Sequence, residues 1–118
     1  MTYFLLGALG GHAYLRSGLE SAARDRGFRV STSLHQIDAS VVSSGPNDEL
    51  IAVSGDIRQL TDAVRMGMNC TIIYIGPFVD TVLDAGWEWV NPDSKMHPAQ
   101  LLSYVLGRAR LKRLGVMG

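Results

Sequence analysis

Five short apolar stretches alternate along the chain with longer segments in which apolar residues recur every three or four positions. The short stretches favour β-strands, and the longer segments have the period of helices. The first stretch is a nearly continuous apolar run, as expected for a parallel strand covered on both faces. The second alternates, with one polar face, which is compatible with a strand at an edge. The predicted strands are residues 3–8, 28–34, 50–54, 71–75 and 87–90.

Two of the predicted helices have clear boundary signals. The first ends at Gly27, because glycine readily adopts the left-handed conformation that closes a helix. The last begins at Pro98, since proline is tolerated in the first turn. Their expected inward positions are Leu15, Leu19, Ala22 and Ala23 in the first, and Leu101, Leu102, Val105 and Ala109 in the last.

The two helices between the third and fifth strands are predicted from their first turns. Asp56 followed by Gln59 resembles a capping box, in which two side chains satisfy backbone N–H groups at the helix start. Pro77 suits the first turn of the next helix, which we expect to end at Gly86. The expected inward positions are Ile57, Leu60, Val64 and Gly67 in the former, and Val79, Val82 and Leu83 in the latter.

Residues 35–44 do not give one pattern. A helix starting at Asp38 and a short strand over residues 39–42 both fit, and the helix is favoured. Residues 45–48 contain glycine, proline and asparagine and predict a turn in either case.

Five strands that alternate with about five helices through short connections predict an α/β fold. Crossover connections between such strands are right-handed, so the strands are mostly parallel. For five strands we expect the flavodoxin-like order 2-1-3-4-5 in a three-layer sandwich, formed as a single domain by residues 1–118.

Composition narrows the class of protein. Apolar residues make up 47% of the chain and charged residues 19%, which excludes an intrinsically disordered chain. The one cysteine, Cys70, excludes a disulfide framework, and we expect it to be a small buried residue of a strand. No apolar run approaches the roughly 18 residues of a membrane span, and no basic residue precedes the apolar start, so we predict a cytoplasmic protein.

Charge is distributed unevenly. Residues 1–93 contain six basic and eleven acidic side chains, and residues 94–118 contain five basic side chains and no acidic one. Cations near a helix C-terminus commonly complement the helix dipole. A contact with an acidic protein or with nucleic acid is the alternative. Nucleic acid is the weaker of these, because the cations of the last helix spread around it: Arg108, Arg110, Lys112 and Arg113.

The order of the strands predicts where a ligand would bind. In open parallel sheets this is beyond the carboxyl ends of the strands where their order reverses, here between the first and third strands. The glycines there would let backbone amides approach a phosphate group, although tight strand-to-helix turns also require glycine. The sequence matches neither G-x-G-x-x-G nor a P-loop. The candidate ligand-binding residues are Gly7, Gly10, Gly11, His12, Ser54, Asp56 and Gly76.

Three of these candidates also suit catalysis. His12, Ser54 and Asp56 are residue types of a base, a nucleophile and an orienting acid. Such a combination is common by chance and Asp56 is already predicted to cap a helix, so an enzyme is less expected than a binding protein. No metal-ligand spacing is present, and we predict neither a metal nor a cofactor.

The second half of the chain resembles the closing half of response-regulator receiver domains. The residues that carry the resemblance are the strand at 71–75, Ala85-Gly86 at a helix end, Asn91-Pro92 where receivers have Lys-Pro, and Gln100-Leu101-Leu102 in the final helix. Residues 49–53 stand in the position of the third receiver strand. The resemblance covers most of the chain and implies the same flavodoxin-like fold.

The resemblance also implies a receiver whose phosphorylation site is lost. Gly7 and Ala8 replace the acidic pair that holds Mg²⁺, and the phosphoacceptor position falls on Ser54 or near Asp56. Gly76 stands for the switch Thr or Ser, and Asn91 for the lysine. Without the carboxylates that bind Mg²⁺ and the lysine that pairs with the phosphoryl group, we do not expect aspartyl phosphorylation.

A receiver-like module of this kind would act by binding a protein partner or a second copy of itself. In receivers the surface of the fourth helix, fifth strand and fifth helix often mediates dimerisation. The residues expected there are Trp87, Tyr104, Arg108 and Arg110. Trp87 and Trp89 lie two positions apart and share one side of a strand, where packing in the core is favoured over an exposed patch.

Overall fold

The computed structural model describes residues 2–41, 49–66, 69–92 and 97–115. Within these ranges strands and helices alternate from one end of the chain to the other. The elements are β1 (Thr2–Leu6), α1 (Ala13–Asp25), β2 (Arg29–Ser31), α2 (Leu34–Val41), β3 (Glu49–Ser54), α3 (Ile57–Arg65), β4 (Asn69–Ile75), α4 (Asp80–Asp84), β5 (Glu88–Val90) and α5 (Pro98–Arg113).

The strands form one sheet in the order β2-β1-β3-β4-β5, and all neighbouring pairs are parallel. This confirms the predicted flavodoxin-like α/β fold. β1 lies beside β3, with Tyr3 opposite Leu50 and Leu6 opposite Val53. The loops that follow these two strands therefore leave the same edge of the sheet, at the point where the strand order reverses.

Both faces of the sheet are covered, which explains the nearly continuous apolar runs. On one face Phe4, Val53 and Ile73 pack against α1 and α5. On the other face Leu5 and Tyr74, together with their neighbours, pack against α2, α3 and α4. The helices thus form the outer layers of a three-layer sandwich.

The boundaries of α1 and α5 agree with the sequence. Gly27 has a φ of 86°, in the left-handed region that closes α1. Pro98 is the first residue of α5. Nearly all of the predicted inward positions of these helices are buried, and Ala22 is partly buried against the same core.

The connection between β2 and α2 differs from the prediction. The strand ends at Ser31, and α2 begins at Leu34, four residues before the predicted start at Asp38. The Thr32 N–H donates to the Gln36 side chain at 3.1 Å, which satisfies a backbone donor just before the helix and favours its early start. The strand alternative for residues 39–41 is wrong, and the predicted turn at 45–48 lies outside the described residues.

α3 and α4 bury fewer of the expected positions. In α3, Leu60 and Ala63 are buried and Val64 is exposed, while position 67 lies outside the described residues. α4 has only five residues, and one turn buries one position, Val82, so that Leu83 is exposed. Pro77 lies three residues ahead of α4, in a bend that follows β4, and not in the first turn of the helix.

Candidate functional site

The carboxyl ends of β1, β3 and β4 meet at Gly55. Its N–H donates to the Ala8 carbonyl oxygen at 2.7 Å. A Cβ atom at this position would lie 2.8 Å from the Ile75 carbonyl oxygen, closer than backbone atoms tolerate. Gly55 is therefore required for the strand ends to approach one another. Sequence patterns do not single it out, because it has no chemical group of its own.

The side chain of Gln59 fills the space at the reversal point. Its Oε1 accepts a hydrogen bond from the Ser54 hydroxyl at 2.9 Å, and its Nε2 donates to the Thr32 carbonyl at 3.2 Å. We call these two hydrogen bonds the Gln59 bridge. A Cβ atom on Gly7 would lie 1.9 Å from Gln59 Oε1, so the bridge lies directly over Gly7. The crevice between β1 and β3 is occupied by the protein itself.

Asp56 caps α3, as predicted, but the capping box is not formed. Asp56 Oδ1 accepts from the Arg58 N–H at 3.0 Å. The second half of a capping box would be a bond from Asp56 N–H to Gln59. That N–H instead donates to Ser54 Oγ at 2.9 Å, because Gln59 is engaged in the bridge.

The glycine loop after β1 divides into a buried and an exposed part. The Gly7 N–H donates to the Val53 carbonyl at 2.9 Å, so this amide already has a partner within the sheet. Gly10 and Gly11 are exposed, with no atom within 4 Å of an added Cβ, and Gly10 has a φ of 62°. Of the predicted ligand-binding residues, only Gly7, Ser54 and Asp56 meet around the Gln59 bridge.

His12 and Gly76 have other surroundings. His12 is the residue before α1, and its side chain makes no capping hydrogen bond. The hydroxyl proton of Ser54 is donated to Gln59, so the structure does not form the serine–histidine pair that hydrolysis would need. The Gly76 N–H donates to the Val90 carbonyl at 3.3 Å, and a Cβ there would meet the Tyr74 ring.

An open cleft of about 460 Å³ lies beside the bridge. Of the predicted ligand-binding residues, Asp56 lies in its wall. The lining residues are Ala8, Thr32, Leu34, Asp56, Arg58, Gln59 and Asp62.

On the opposite side of the sheet, Glu88 of β5 is bound by two residues of α5. The Tyr104 hydroxyl donates to its carboxylate at 3.0 Å, and the Arg108 guanidinium forms a hydrogen-bonded ion pair with it. Burial, and then the hydrogen bond to Glu88, raises the pKa of the Tyr104 hydroxyl. All three side chains are half-buried. Two of the predicted contact residues thus attach α5 to the sheet.

The other two predicted contact residues do not lie together. Trp87 is half-buried against the core beneath α3 and α4. Arg110 is exposed and lines a separate cleft with Phe28 and Glu49, at the amino ends of the strands.

Three large apolar side chains between the end of β4 and the end of β5 are exposed: Phe78, Leu83 and Trp89. Phe78 and Trp89 contact each other with ring centroids 5.4 Å apart, and their exposed fractions are 51% and 38%. Trp89 also donates from Nε1 to the Gly76 carbonyl at 2.8 Å. Leu83, a residue of α4, is 62% exposed. We call these three residues the apolar patch; its formation corrects the expectation that Trp89 packs in the core.

Two kinds of feature are absent from the part of the chain that the structure describes. It holds no group of three or more His, Cys, Asp or Glu side chains arranged to bind a metal ion. None of its helices is long and apolar enough to cross a membrane.

A scan against models of protein families found no match. Searches of curated proteins and of solved structures found no match either.

Proposed function

We propose that this protein is a receiver-like interaction module that works without aspartyl phosphorylation. The five-stranded order β2-β1-β3-β4-β5 supports the likeness to receivers in shape. The residues at the carboxyl ends of β1 and β3 support the loss of phosphorylation, because Gly7 and Ala8 offer no carboxylate and Ser54 is fully buried. Mg²⁺ needs several oxygen ligands, commonly carboxylates, in an open site.

The Gln59 bridge is the observation that carries this proposal. It satisfies the hydroxyl of Ser54 and the carbonyl of Thr32 while it covers Gly7. Opening the crevice would leave the fully buried hydroxyl of Ser54 without an acceptor for its proton, at about 1–3 kcal/mol. The Asp56 carboxylate accepts a hydrogen bond from the Arg58 N–H at the start of α3.

A receiver-like module without phosphorylation would act by binding a partner. We assign this binding to the apolar patch. Large apolar side chains that cluster on a surface commonly mark a protein contact. Phe78 and Leu83 are more than half exposed. We propose a second copy of the chain as the partner, since a two-fold contact would bury the same patch on both copies.

Phosphorylation is tested by incubating the full chain with acetyl phosphate and Mg²⁺ and measuring its intact mass. We expect no phosphoryl adduct. An adduct that is lost in Asp56→Asn, a change that keeps a helix-capping side chain, contradicts the proposal.

Association through the apolar patch is tested by sedimentation velocity over a range of concentrations. We expect a monomer–dimer equilibrium that Leu83→Ser shifts to monomer. Leu114→Ser is the matched control, because Leu114 is 66% exposed and lies outside the patch. A protein that is monomeric throughout, or equal loss in both variants, contradicts the assignment of the patch.

A small-ligand site is the second candidate, and the open cleft of about 460 Å³ beside the Gln59 bridge favours it. A nucleotide or sugar phosphate present at a hundred times its Kd would add about 2.7 kcal/mol to the free energy of unfolding. A rise in Tm with one member of such a panel, lost in Arg58→Gln, would support this candidate. No rise with any member would argue against it.

A further inference from the structure

β4 is longer than the strand beside it. β5 pairs only with Ile73–Ile75, the last three residues of β4. The first four residues, numbers 69–72, pair with β3 on one side and with no strand of the described chain on the other. We call these four residues the open edge. Such an edge presents unpaired backbone groups to which another strand can bind.

Two hydrogen bonds define which backbone groups face the open edge. The Gly76 N–H donates to Val90, so Gly76 faces the side of β5. Alternate residues of a strand direct their backbone groups to the same side, so Cys70 and Ile72 face it too. The Lys112 ammonium donates to the Cys70 carbonyl from this side, in agreement with that orientation.

A groove of about 390 Å³ runs beside the open edge. Its walls include the exposed Val64 of α3, the half-buried Trp87, and Lys112 of α5. Pockets for small ligands begin at about 300 Å³, and the four residues of the edge span roughly 10 Å at about 3.3 Å each. The groove therefore has room for a few extended residues and not for a folded domain.

We propose that the open edge of β4 binds an extended, acidic peptide segment of another protein by strand addition. In this binding mode backbone hydrogen bonds give affinity, and pockets beside the edge select side chains. The Cys70 N–H and carbonyl and the Ile72 N–H supply the hydrogen bonds, since the Ile72 carbonyl already faces the Glu88 N–H of β5. Val64 and Trp87 supply an apolar wall. This surface differs from the apolar patch, so the proposal goes beyond the proposed function and does not depend on it.

Lys112 is the reason that we expect the bound peptide to be acidic. Its ammonium donates to the Cys70 carbonyl, where the N–H of a paired strand would otherwise donate. A bound peptide that takes over this carbonyl releases the exposed ammonium, and a carboxylate of the peptide can then pair with it. Glu88 lines the same groove, but its carboxylate is already bound by Arg108 and Tyr104. Charge complementarity therefore favours a peptide with an acidic side chain at the Cys70 end of the groove.

The test uses the full chain labelled with ¹⁵N and short synthetic peptides of alternating valine and threonine. One set carries Asp at either end, a second carries Asn there, and a third is the Asp set with alternate amides N-methylated. We expect the Asp peptides to shift the amide resonances of residues 69–72 and to bind about twofold to fivefold more tightly than the Asn peptides. N-methylation removes donors from the peptide and should abolish binding.

Two variants of α5 separate the role of Lys112 from general charge. Lys112→Gln should remove the preference for Asp over Asn. Arg110→Gln removes an exposed cation from the same helix but outside the groove, and should keep the preference.

Several results would overturn the proposal. These are no shift at residues 69–72 with any peptide up to about 1 mM, equal binding of the N-methylated set, or an unchanged preference in Lys112→Gln. A Lys112→Gln protein that dimerises through residues 69–72 and binds no peptide would make a second copy the occupant instead. Leu83→Ser, which tests the apolar patch, should leave peptide binding unchanged, so the two proposals fail separately.

Discussion

The amide side chain of Gln59 occupies the position where the sheet would otherwise be open to a ligand. The sequence correctly predicts that Asp56 caps α3, and wrongly predicts that Gln59 completes the cap. Ser54 and Gln59 can both satisfy the Asp56 N–H. Only the relative placement of β2 and β3, which no local pattern contains, decides that Ser54 does so and Gln59 joins the two strand ends.

Replacing Gln59 with alanine removes the bridge. The Ser54 hydroxyl and the Thr32 carbonyl then lose a partner, so we expect the free energy of unfolding to fall by about 1–3 kcal/mol. Gln100→Ala, on the exposed side of α5, is the matched control and should change it by less than about 0.5 kcal/mol. Urea denaturation measures both, and equal values for the two variants would show that the bridge contributes nothing.

A methyl group at Gly55 tests the convergence of the strand ends. Its Cβ would lie 2.8 Å from the Ile75 carbonyl oxygen, so we expect Gly55→Ala to lower the free energy of unfolding by about 1–3 kcal/mol. Gly11→Ala is the control, since no atom lies within 4 Å of its added Cβ. Thermal unfolding of the two variants should differ clearly, and a Gly55→Ala protein as stable as the control contradicts the close approach.

Because of Cys70, we expect the free energy of unfolding to fall at alkaline pH. Burial raises the pKa of its thiol from 9.0 to about 12, against a smaller opposing effect of Lys112. A pKa raised in the folded state contributes stability that is complete below about pH 9 and is lost as the pH rises towards 12. We expect the free energy of unfolding to fall over this range more steeply in the unchanged protein than in Cys70→Ala. Parallel curves would contradict the shift.

At the scale of elements, strands were predicted better than short helices. β1, β3 and β4 are buried on both faces, so their apolar runs identify them without knowledge of the fold. α2 and α4 contain eight and five residues, too few for a stripe of apolar positions to show which face is buried. The predicted inner position of Leu83 is therefore wrong, and Pro77, expected in the first turn, lies ahead of α4.

The two neighbouring apolar residues of α4 provide the test of that correction. Val82 is fully enclosed, so Val82→Ala should lower the free energy of unfolding by roughly 1–3 kcal/mol. Leu83 is 62% exposed, and Leu83→Ala should change it by less than about 0.5 kcal/mol. Chemical denaturation would contradict the observed orientation of α4 if the two effects were reversed.

At the scale of the whole molecule, the strand order followed from the sequence and the geometry of the site did not. Alternating elements and right-handed crossovers restrict five strands to a few orders. They do not determine that Gly7 lies under Gln59 while Gly10 and Gly11 face solvent. The concentration of cations in the last helix is also partly structural, since Arg108 binds Glu88 and Lys112 binds the Cys70 carbonyl.

Gln59 fills the reversal point of the sheet, and we propose that the protein works without a phosphoryl group there. The most direct measurement is a titration of the ¹⁵N-labelled chain with Mg²⁺ and beryllium fluoride, a mimic of a phosphoryl group, observed at the amides of Gly7, Ser54 and Gly55. We predict that these resonances do not move. Saturable shifts at all three, abolished by Asp56→Asn, would contradict the claim.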